Sequence, residues 1–124
     1  MRKIFSFIIF TFSYLFVSAS FEMNENMQKA YTAIINLQFT KGQSYIQLEK
    51  EQNPNNRLIH LNENYKDFLV LIIGEDKQLF DEISANKSKR LSAISACDRN
   101  SPYYLYSQAE INLQWAFARL KFQE

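Results

Sequence analysis

The chain has 124 residues, of which 47% are hydrophobic and 22% are charged, and its formal net charge is +1. This composition excludes an intrinsically disordered chain, and the length suits one domain. The near-zero charge excludes a broad basic surface, so we expect no nucleic-acid partner. Two Gly and two Pro are too few for the many tight turns of an all-β protein, which favours an all-α fold.

The N-terminal residues have the three-part pattern of an export signal. Arg2 and Lys3 are followed by an apolar run over residues 4–17, and Ala19 is a small residue at the expected cleavage point. The run is shorter than the roughly 20 residues of a membrane-spanning helix. We therefore predict a signal peptide at residues 1–19 and an exported protein in the periplasm or cell envelope. The alternative is that this segment is not cleaved and tethers a helical bundle to the membrane. We expect no other contact with a membrane.

A first helix is predicted over residues 22–37 and a second over residues 40–52. Thr40 and Gln43 have the spacing of a capping box at the start of the second helix, and Pro54 follows its end. Apolar residues at steps of three and four place one stripe of the first helix inward. The residues expected to face inward are Met23, Met27, Ala30, Tyr31, Ile34, Ile35 and Leu37 in the first helix and Tyr45, Ile46 and Leu48 in the second.

A third helix is predicted over residues 57–73, with Gly74 as a left-handed cap. Glu75 and Asp76 lie where a fourth helix begins, and a break in that helix is expected near Asn86. The apolar positions that indicate these two helices are Leu58, Leu61, Tyr65, Phe68, Leu69 and Ile72, followed by Leu79, Phe80, Ile83, Leu91 and Ile94.

The last predicted helix begins at Ser101 and Pro102, a typical N-cap followed by a proline in the first helical position. Its apolar residues lie on more than one side, since Trp115, Phe117 and Phe122 do not fit one narrow stripe. We therefore expect a partner protein, a second copy of the chain or a further segment to cover this helix.

Part of this pattern resembles a known repeat. Gly42 is a small residue early in a helix that Pro54 closes, which is similar to the second helix and closing turn of a tetratricopeptide repeat. The first helix lacks the Trp-Leu-Gly-Tyr pattern of that family. No exact repeat period recurs along the chain.

A longer resemblance covers most of the chain after the signal. Residues 64–68 (NYKDF), 101–106 (SPYYLY) and 114–122 (QWAFARLKF) resemble the N-terminal region of bacterial exported tetratricopeptide-repeat proteins. The resemblance implies antiparallel helical hairpins over residues 20–124 that form the start of an α-solenoid, as the N-terminal part of a longer repeat array. It implies no activity for named residues.

Residue types that commonly form catalytic or metal sites are sparse. His60 and Cys97 are single, so they predict neither a zinc site nor a catalytic triad, and we expect Cys97 to be buried. We expect no cofactor, no metal and no enzymatic activity. The pairs Glu49 and Glu51, and Asp81 and Glu82, and the basic cluster Lys87, Lys89 and Arg90 are interpreted as solvated charges.

The functional prediction is an exported scaffold that binds another protein. Aromatic residues are the candidates for helix packing or for a recognition surface, because Tyr and Trp are frequent at interfaces. The alternative is an accessory domain of a longer exported enzyme whose catalytic residues lie beyond this chain. The candidate residues are Tyr31, Tyr65, Phe68, Tyr103, Tyr104, Trp115 and Phe117.

Overall fold

A computed structural model describes residues 18–123, and this part of the chain is helical, as predicted. The only extended pairing in it is an isolated bridge between Ser20 and Asn56. The predicted signal peptide lies almost entirely outside the described residues. The helices are α1 (Glu25–Ile35), α2 (Phe39–Gln52), α3 (Leu58–Gly74), α4 (Lys77–Ile83), α5 (Asn86–Ser95) and α6 (Pro102–Phe122).

Helix α1 starts three residues later than predicted because Asn24 caps it. The Asn24 side-chain oxygen accepts a hydrogen bond from the Met27 backbone N–H at 3.1 Å. Of the predicted inward residues, Ile34 is fully buried. Leu37 is exposed instead, because it lies beyond the end of the helix in the left-handed conformation, with φ 61°.

The capping box predicted at Thr40 and Gln43 is wrong. Helix α2 already begins at Phe39, so Thr40 lies inside its first turn. The Gln38 N–H binds the Ala33 carbonyl oxygen at 2.8 Å, and this tight connection starts the new helix early. Ile46 of α2 faces the core, as predicted. Leu48, which was also predicted to face inward, is exposed.

The cap predicted at Gly74 is also misplaced, by one residue. Gly74 is the last helical residue, and Glu75 takes the left-handed conformation with φ 53°. Lys121 holds the exposed Glu75 carboxylate in an ion pair. The predicted start of the next helix is confirmed, since Asp76 caps α4 by accepting from the Leu79 N–H at 2.9 Å.

The predicted break near Asn86 and the predicted start at Ser101 are confirmed. Two residues, Ser84 and Ala85, separate α4 from α5. At α6 the Ser101 side chain accepts a hydrogen bond from the Tyr103 N–H, with Pro102 in the first helical position.

Helices α1, α3 and α6 lie side by side and run in the same direction. Met27 near the start of α1 contacts Asn62 near the start of α3, and Tyr31 contacts Tyr65 one turn further along. Tyr65 in turn meets Glu110 in the first half of α6, and the end of α3 meets the end of α6 through the ion pair between Glu75 and Lys121. These three helices form one layer.

Helices α2 and α5 pack on that layer. Helix α2 runs antiparallel to α1, because Asn24 at the start of α1 contacts Glu49 at the end of α2, while Gly42 early in α2 abuts Ile34 late in α1. Helix α2 also contacts α3, and α5 contacts both α3 and α6. Within residues 18–123, the side of α6 that faces away from α3 and α5 is exposed.

The core lies between the two layers. Phe80 from α4 is fully buried, with its ring centroid 6.0 Å from that of Trp115 and 4.8 Å from that of Phe122. None of the described helices is both long enough and apolar enough to cross a membrane. The core residues of the largest cluster are Met27, Ala30, Ile34, Ile46, Leu58, Ile59, Leu61, Leu71, Phe80, Ile94, Ile111, Trp115 and Ala118.

The segment before α1 is bonded to the turn between α2 and α3. The Ser20 carbonyl oxygen accepts from the Arg57 N–H at 2.7 Å, and the Ser20 N–H donates to the Asn55 carbonyl oxygen at 3.1 Å. Cys97 is buried, as predicted, and its thiol lies 3.2 Å from the Ala19 carbonyl oxygen. The folded part therefore includes the residues around the predicted cleavage point.

Candidate functional site: the tyrosine pocket and the outer face of the last helix

Three of the predicted aromatic residues come together in one place. Tyr31, Tyr65 and Tyr103, from α1, α3 and α6, line a single pocket. Tyr106, one turn after Tyr103, completes it. We call this feature the tyrosine pocket. It has a volume of about 290 Å³, and its lining residues are Met23, Tyr31, Leu61, Asn62, Tyr65, Tyr103 and Tyr106.

The remaining predicted residues lie elsewhere. Trp115 is a core residue, and Phe68 lies near it, half-buried. Tyr104 is half-buried and does not line the tyrosine pocket. Phe117 lies on the exposed side of α6.

The rings of the tyrosine pocket stand at steep angles to one another. Tyr31 and Tyr65 have centroids 5.3 Å apart and planes at 78°, and Tyr103 and Tyr106 have centroids 6.4 Å apart and planes at 73°. Such edge-to-face pairs are favourable because the positive ring edge meets the negative ring face. The four rings therefore enclose a corner and do not collapse into a stack.

A carboxylate is hydrogen-bonded to this pocket from α6. The Tyr65 hydroxyl donates to the Glu110 carboxylate at 2.7 Å and lies 3.2 Å from the Tyr106 hydroxyl. Burial raises the pKa of Tyr65, and its hydrogen bonds with Tyr106 and Glu110 raise it further. Tyr65 therefore keeps its proton and remains a donor to Glu110 at any physiological pH.

A second feature is the outer face of α6, which starts at the tyrosine pocket. At 100° per residue its members fall within about 120° of one another, along about 22 Å of helix. Leu105 and Leu120, at the two ends, are each 72% exposed. The outer face consists of Leu105, Tyr106, Ala109, Leu113, Ala116, Phe117 and Leu120.

The opposite side of α6 is fixed by a buried polar network centred on Asn64. The Asn64 amide oxygen accepts from the Trp115 indole N–H at 2.8 Å and from the Arg90 guanidinium at 3.0 Å. Its amide nitrogen donates to Gln114 at 2.7 Å. Arg90 also pairs with Asp67 at 2.6 Å. The prediction that Arg90 is a solvated charge is therefore wrong, because the network provides partners for its charge inside the protein.

Glu49 was predicted to be solvated and is instead 1% exposed. Its carboxylate accepts hydrogen bonds from Asn24 at 2.6 Å, Asn26 at 3.0 Å and Asn56 at 2.9 Å. Burial raises the pKa of this carboxyl, but the asparagine hydrogen bonds outweigh burial and lower the pKa below its ordinary value. Its acidic neighbour Glu51 is exposed, as predicted.

His60 lies beside an ion pair. Its imidazole nitrogen is 3.8 Å from the Glu63 carboxylate, which also pairs with Lys50. Burial raises the pKa of Glu63, but the neighbouring His60 and the paired Lys50 outweigh burial and lower it to about 2. Among residues 18–123 no group of His, Cys, Asp or Glu is arranged to hold a metal ion.

An open groove of about 640 Å³ lies between α2, α3 and α4. Phe39 and Val70 supply part of its apolar lining. Two of its polar side chains, Lys66 and Gln43, bind each other across it. The groove is more open to solvent than the tyrosine pocket, so the tyrosine pocket and the outer face of α6 are the better candidate site.

Comparisons with protein-family models, with curated proteins and with solved structures give no match to this chain. Sequence periodicity indicated that α6 has apolar residues on two sides. Residues 101–106, which belong to the resemblance with exported tetratricopeptide-repeat proteins, contain two of the pocket tyrosines, Tyr103 and Tyr106. Sequence reasoning missed Glu110, Asn62 and Asn64, because no apolar pattern marks a buried polar residue.

Proposed function

We propose that this protein is an exported helical-repeat scaffold that binds a partner protein through the outer face of α6. The observation that carries the proposal is the row of large apolar side chains on that face. It holds five of the ten exposed large hydrophobic residues of the described chain. A contiguous apolar strip of this kind typically marks an interaction surface.

The arrangement of the other helices supports a helix as the bound element. Helix α2 packs on both α1 and α3, and α5 packs on both α3 and α6, so each covering helix bridges two helices of the layer. Helix α6 is the third member of the same layer, and its outer face has no such cover among residues 18–123. The alternation of layer helices and covering helices is also what an α-solenoid requires.

The spacing on α6 fits an amphipathic partner helix. Leu113, Phe117 and Leu120 recur at steps of four and three, the spacing of anchors in helix-in-groove recognition. We therefore propose that the occupant is an amphipathic helix of a partner protein, laid along α6 as α2 is laid along α1.

The test places a photo-crosslinking amino acid at position 117, in place of Phe117, in the protein produced in its own host. We expect a discrete crosslinked species whose partner is identified by mass spectrometry, and we expect Leu113→Asp in the same chain to abolish it. The matched control carries the crosslinker in place of Gln78, an exposed residue of α4.

Equal crosslinking from positions 117 and 78, or none from position 117, would contradict the proposal. A product of twice the chain mass would identify a second copy as the occupant in place of a partner protein. The recovered protein is also sequenced from its N-terminus. A chain that starts at Ser20 supports export with cleavage, and a chain that retains residues 1–19 supports the tethered alternative.

A further inference from the structure

The tyrosine pocket has the composition of a site for an organic cation. Its walls include four tyrosine rings, and a ring face that is not covered by a neighbouring ring carries negative potential that attracts cations. Leu61, which is 2% exposed, and Met23 supply apolar surface for methyl groups. The pocket is open to solvent on one side, since Tyr31 and Tyr106 are exposed.

The charge next to the pocket has the sign that a cation requires. Glu110 accepts from the Tyr65 hydroxyl at 2.7 Å and from the Gln114 amide at 3.3 Å, both of which are neutral donors. Among the described residues no basic side chain pairs with Glu110. The half-buried carboxylate therefore places a negative charge one hydrogen bond behind the Tyr65 ring, which favours a positively charged occupant.

The polar groups of the pocket favour a methylated ammonium over a primary one. A primary ammonium has three N–H donors that each need an acceptor. The Tyr65 hydroxyl is already bonded to Glu110 and Tyr106, so its oxygen is a poor further acceptor. A quaternary ammonium has no N–H group, so it needs only ring faces and apolar contacts.

We propose that the tyrosine pocket binds a trimethylammonium group, of the kind carried by choline and by choline-headed lipids. The four rings and Met23 would surround the methyl groups, and Glu110 would balance the charge through the Tyr65 hydroxyl. This inference goes beyond the proposed scaffold function and does not depend on it, because the pocket lies between three helices of one chain.

Choline binding to the full chain is measured by calorimetry and by ligand-detected NMR, with 3,3-dimethylbutan-1-ol as the neutral compound of the same shape. We expect saturable choline binding and weaker binding of the neutral compound by about tenfold. Tyr31→Leu and Tyr103→Leu should each weaken choline binding by about three- to tenfold. Glu110→Gln should weaken choline binding but not binding of the neutral compound.

Tyr104→Leu is the matched control, since Tyr104 adjoins Tyr103 in sequence but does not line the pocket. Its choline affinity should equal that of the unmodified chain, and circular dichroism checks that every variant is folded. Equal binding of choline and the neutral compound, an equal loss in Tyr104→Leu, or no saturable binding by the folded chain would overturn the proposal.

Binding to vesicles distinguishes a lipid headgroup from a free molecule as the source of the trimethylammonium group. Retention on phosphatidylcholine vesicles but not on phosphatidylglycerol vesicles would assign the site to a lipid headgroup. Choline binding without retention on either vesicle would assign it to a free choline-type molecule. A negative result for choline and vesicle binding would not affect the crosslinking from position 117. The two proposals can therefore fail independently.

Discussion

At the scale of single residues, the polar side chains depart most from expectation. Glu49 belongs to a charged run near the end of α2, and a carboxylate in such a run is usually solvated. Asn24, Asn26 and Asn56 are brought to it from α1 and from the turn after α2. They replace the water that a buried carboxylate would lose, so burial is tolerated without a basic partner.

This arrangement predicts a pH-dependent effect of Glu49→Gln. Because the pKa of Glu49 is lowered on folding, the ionised carboxylate stabilises the fold above the unfolded value of about 4.3, and that stabilisation is lost as pH falls through the folded value. At pH 7 we expect Glu49→Gln to lower the free energy of unfolding by about 1–3 kcal/mol, since its amide N–H₂ meets asparagine donors.

The matched control is Glu51→Gln, which changes an exposed carboxylate of the same helix. The difference between the two variants, measured by urea unfolding, should shrink as the pH is lowered below about 4. Glu63 is unchanged in both variants and cancels from the difference. A difference that stays constant from pH 7 to pH 3 would show that the charge on Glu49 does not contribute.

At the scale of helices, the boundaries follow local chemistry where a cap is decisive. Ser101, Pro102 and Asp76 act as predicted, because a cap depends on neighbours within three residues. The start of α2 is not as predicted, because the Gln38 N–H binds the Ala33 carbonyl oxygen and the helix begins early. The left-handed residue at the end of α3 is Glu75 and not Gly74, and its carboxylate pairs with Lys121 of α6. The two glycines of the chain also differ in this way, since Gly42 is packed against another helix and Gly74 is not.

Gly42 and Gly74 predict opposite effects of the same substitution. A Cβ at Gly42 would lie 2.6 Å from Cγ1 of the fully buried Ile34, whereas a Cβ at Gly74 has nothing within 4 Å. We expect Gly42→Ala to destabilise the fold by about 1–3 kcal/mol through overpacking of α1 against α2. Gly74→Ala should stabilise it by about 0.4–1 kcal/mol through helix propensity and a less flexible unfolded chain.

Thermal unfolding followed by circular dichroism compares the two variants with the unmodified chain. Each glycine serves as the control for the other, because both are helical and neither has a positive φ. Stabilisation by Gly42→Ala would contradict the close contact between Gly42 of α2 and Ile34 of α1.

At the scale of the whole molecule, three helices are joined through one asparagine. Asn64 of α3 binds Arg90 of α5 and Gln114 and Trp115 of α6, and it is 1% exposed. This network fixes how α6 is rotated about its axis. It therefore turns Tyr103 and Tyr106 towards the tyrosine pocket and the outer face of α6 towards solvent.

Asn64→Ala should be among the most destabilising single changes in the chain. It leaves the Trp115 N–H, the Gln114 oxygen and part of the Arg90 guanidinium buried without partners, and we expect a loss of about 2–5 kcal/mol. Asn112→Ala, an exposed asparagine of α6, is the control and should change stability by less than about 0.5 kcal/mol. Urea unfolding is followed by fluorescence of Trp115, the only tryptophan. Equal effects of the two changes would rule out the network as the link between the helices.

The sequence by itself determined the helical class, most helix positions and the apolar excess of α6, because these depend on periodicity and on local caps. Tertiary structure alone decided which polar residues are buried and which tyrosines meet. Glu49, Asn64 and Arg90 are buried because side chains from other helices satisfy them. Tyr31, Tyr65, Tyr103 and Tyr106 form a pocket because α1, α3 and α6 lie side by side. Contacts between residues distant in sequence leave no local pattern, so they could not be predicted from the chain alone.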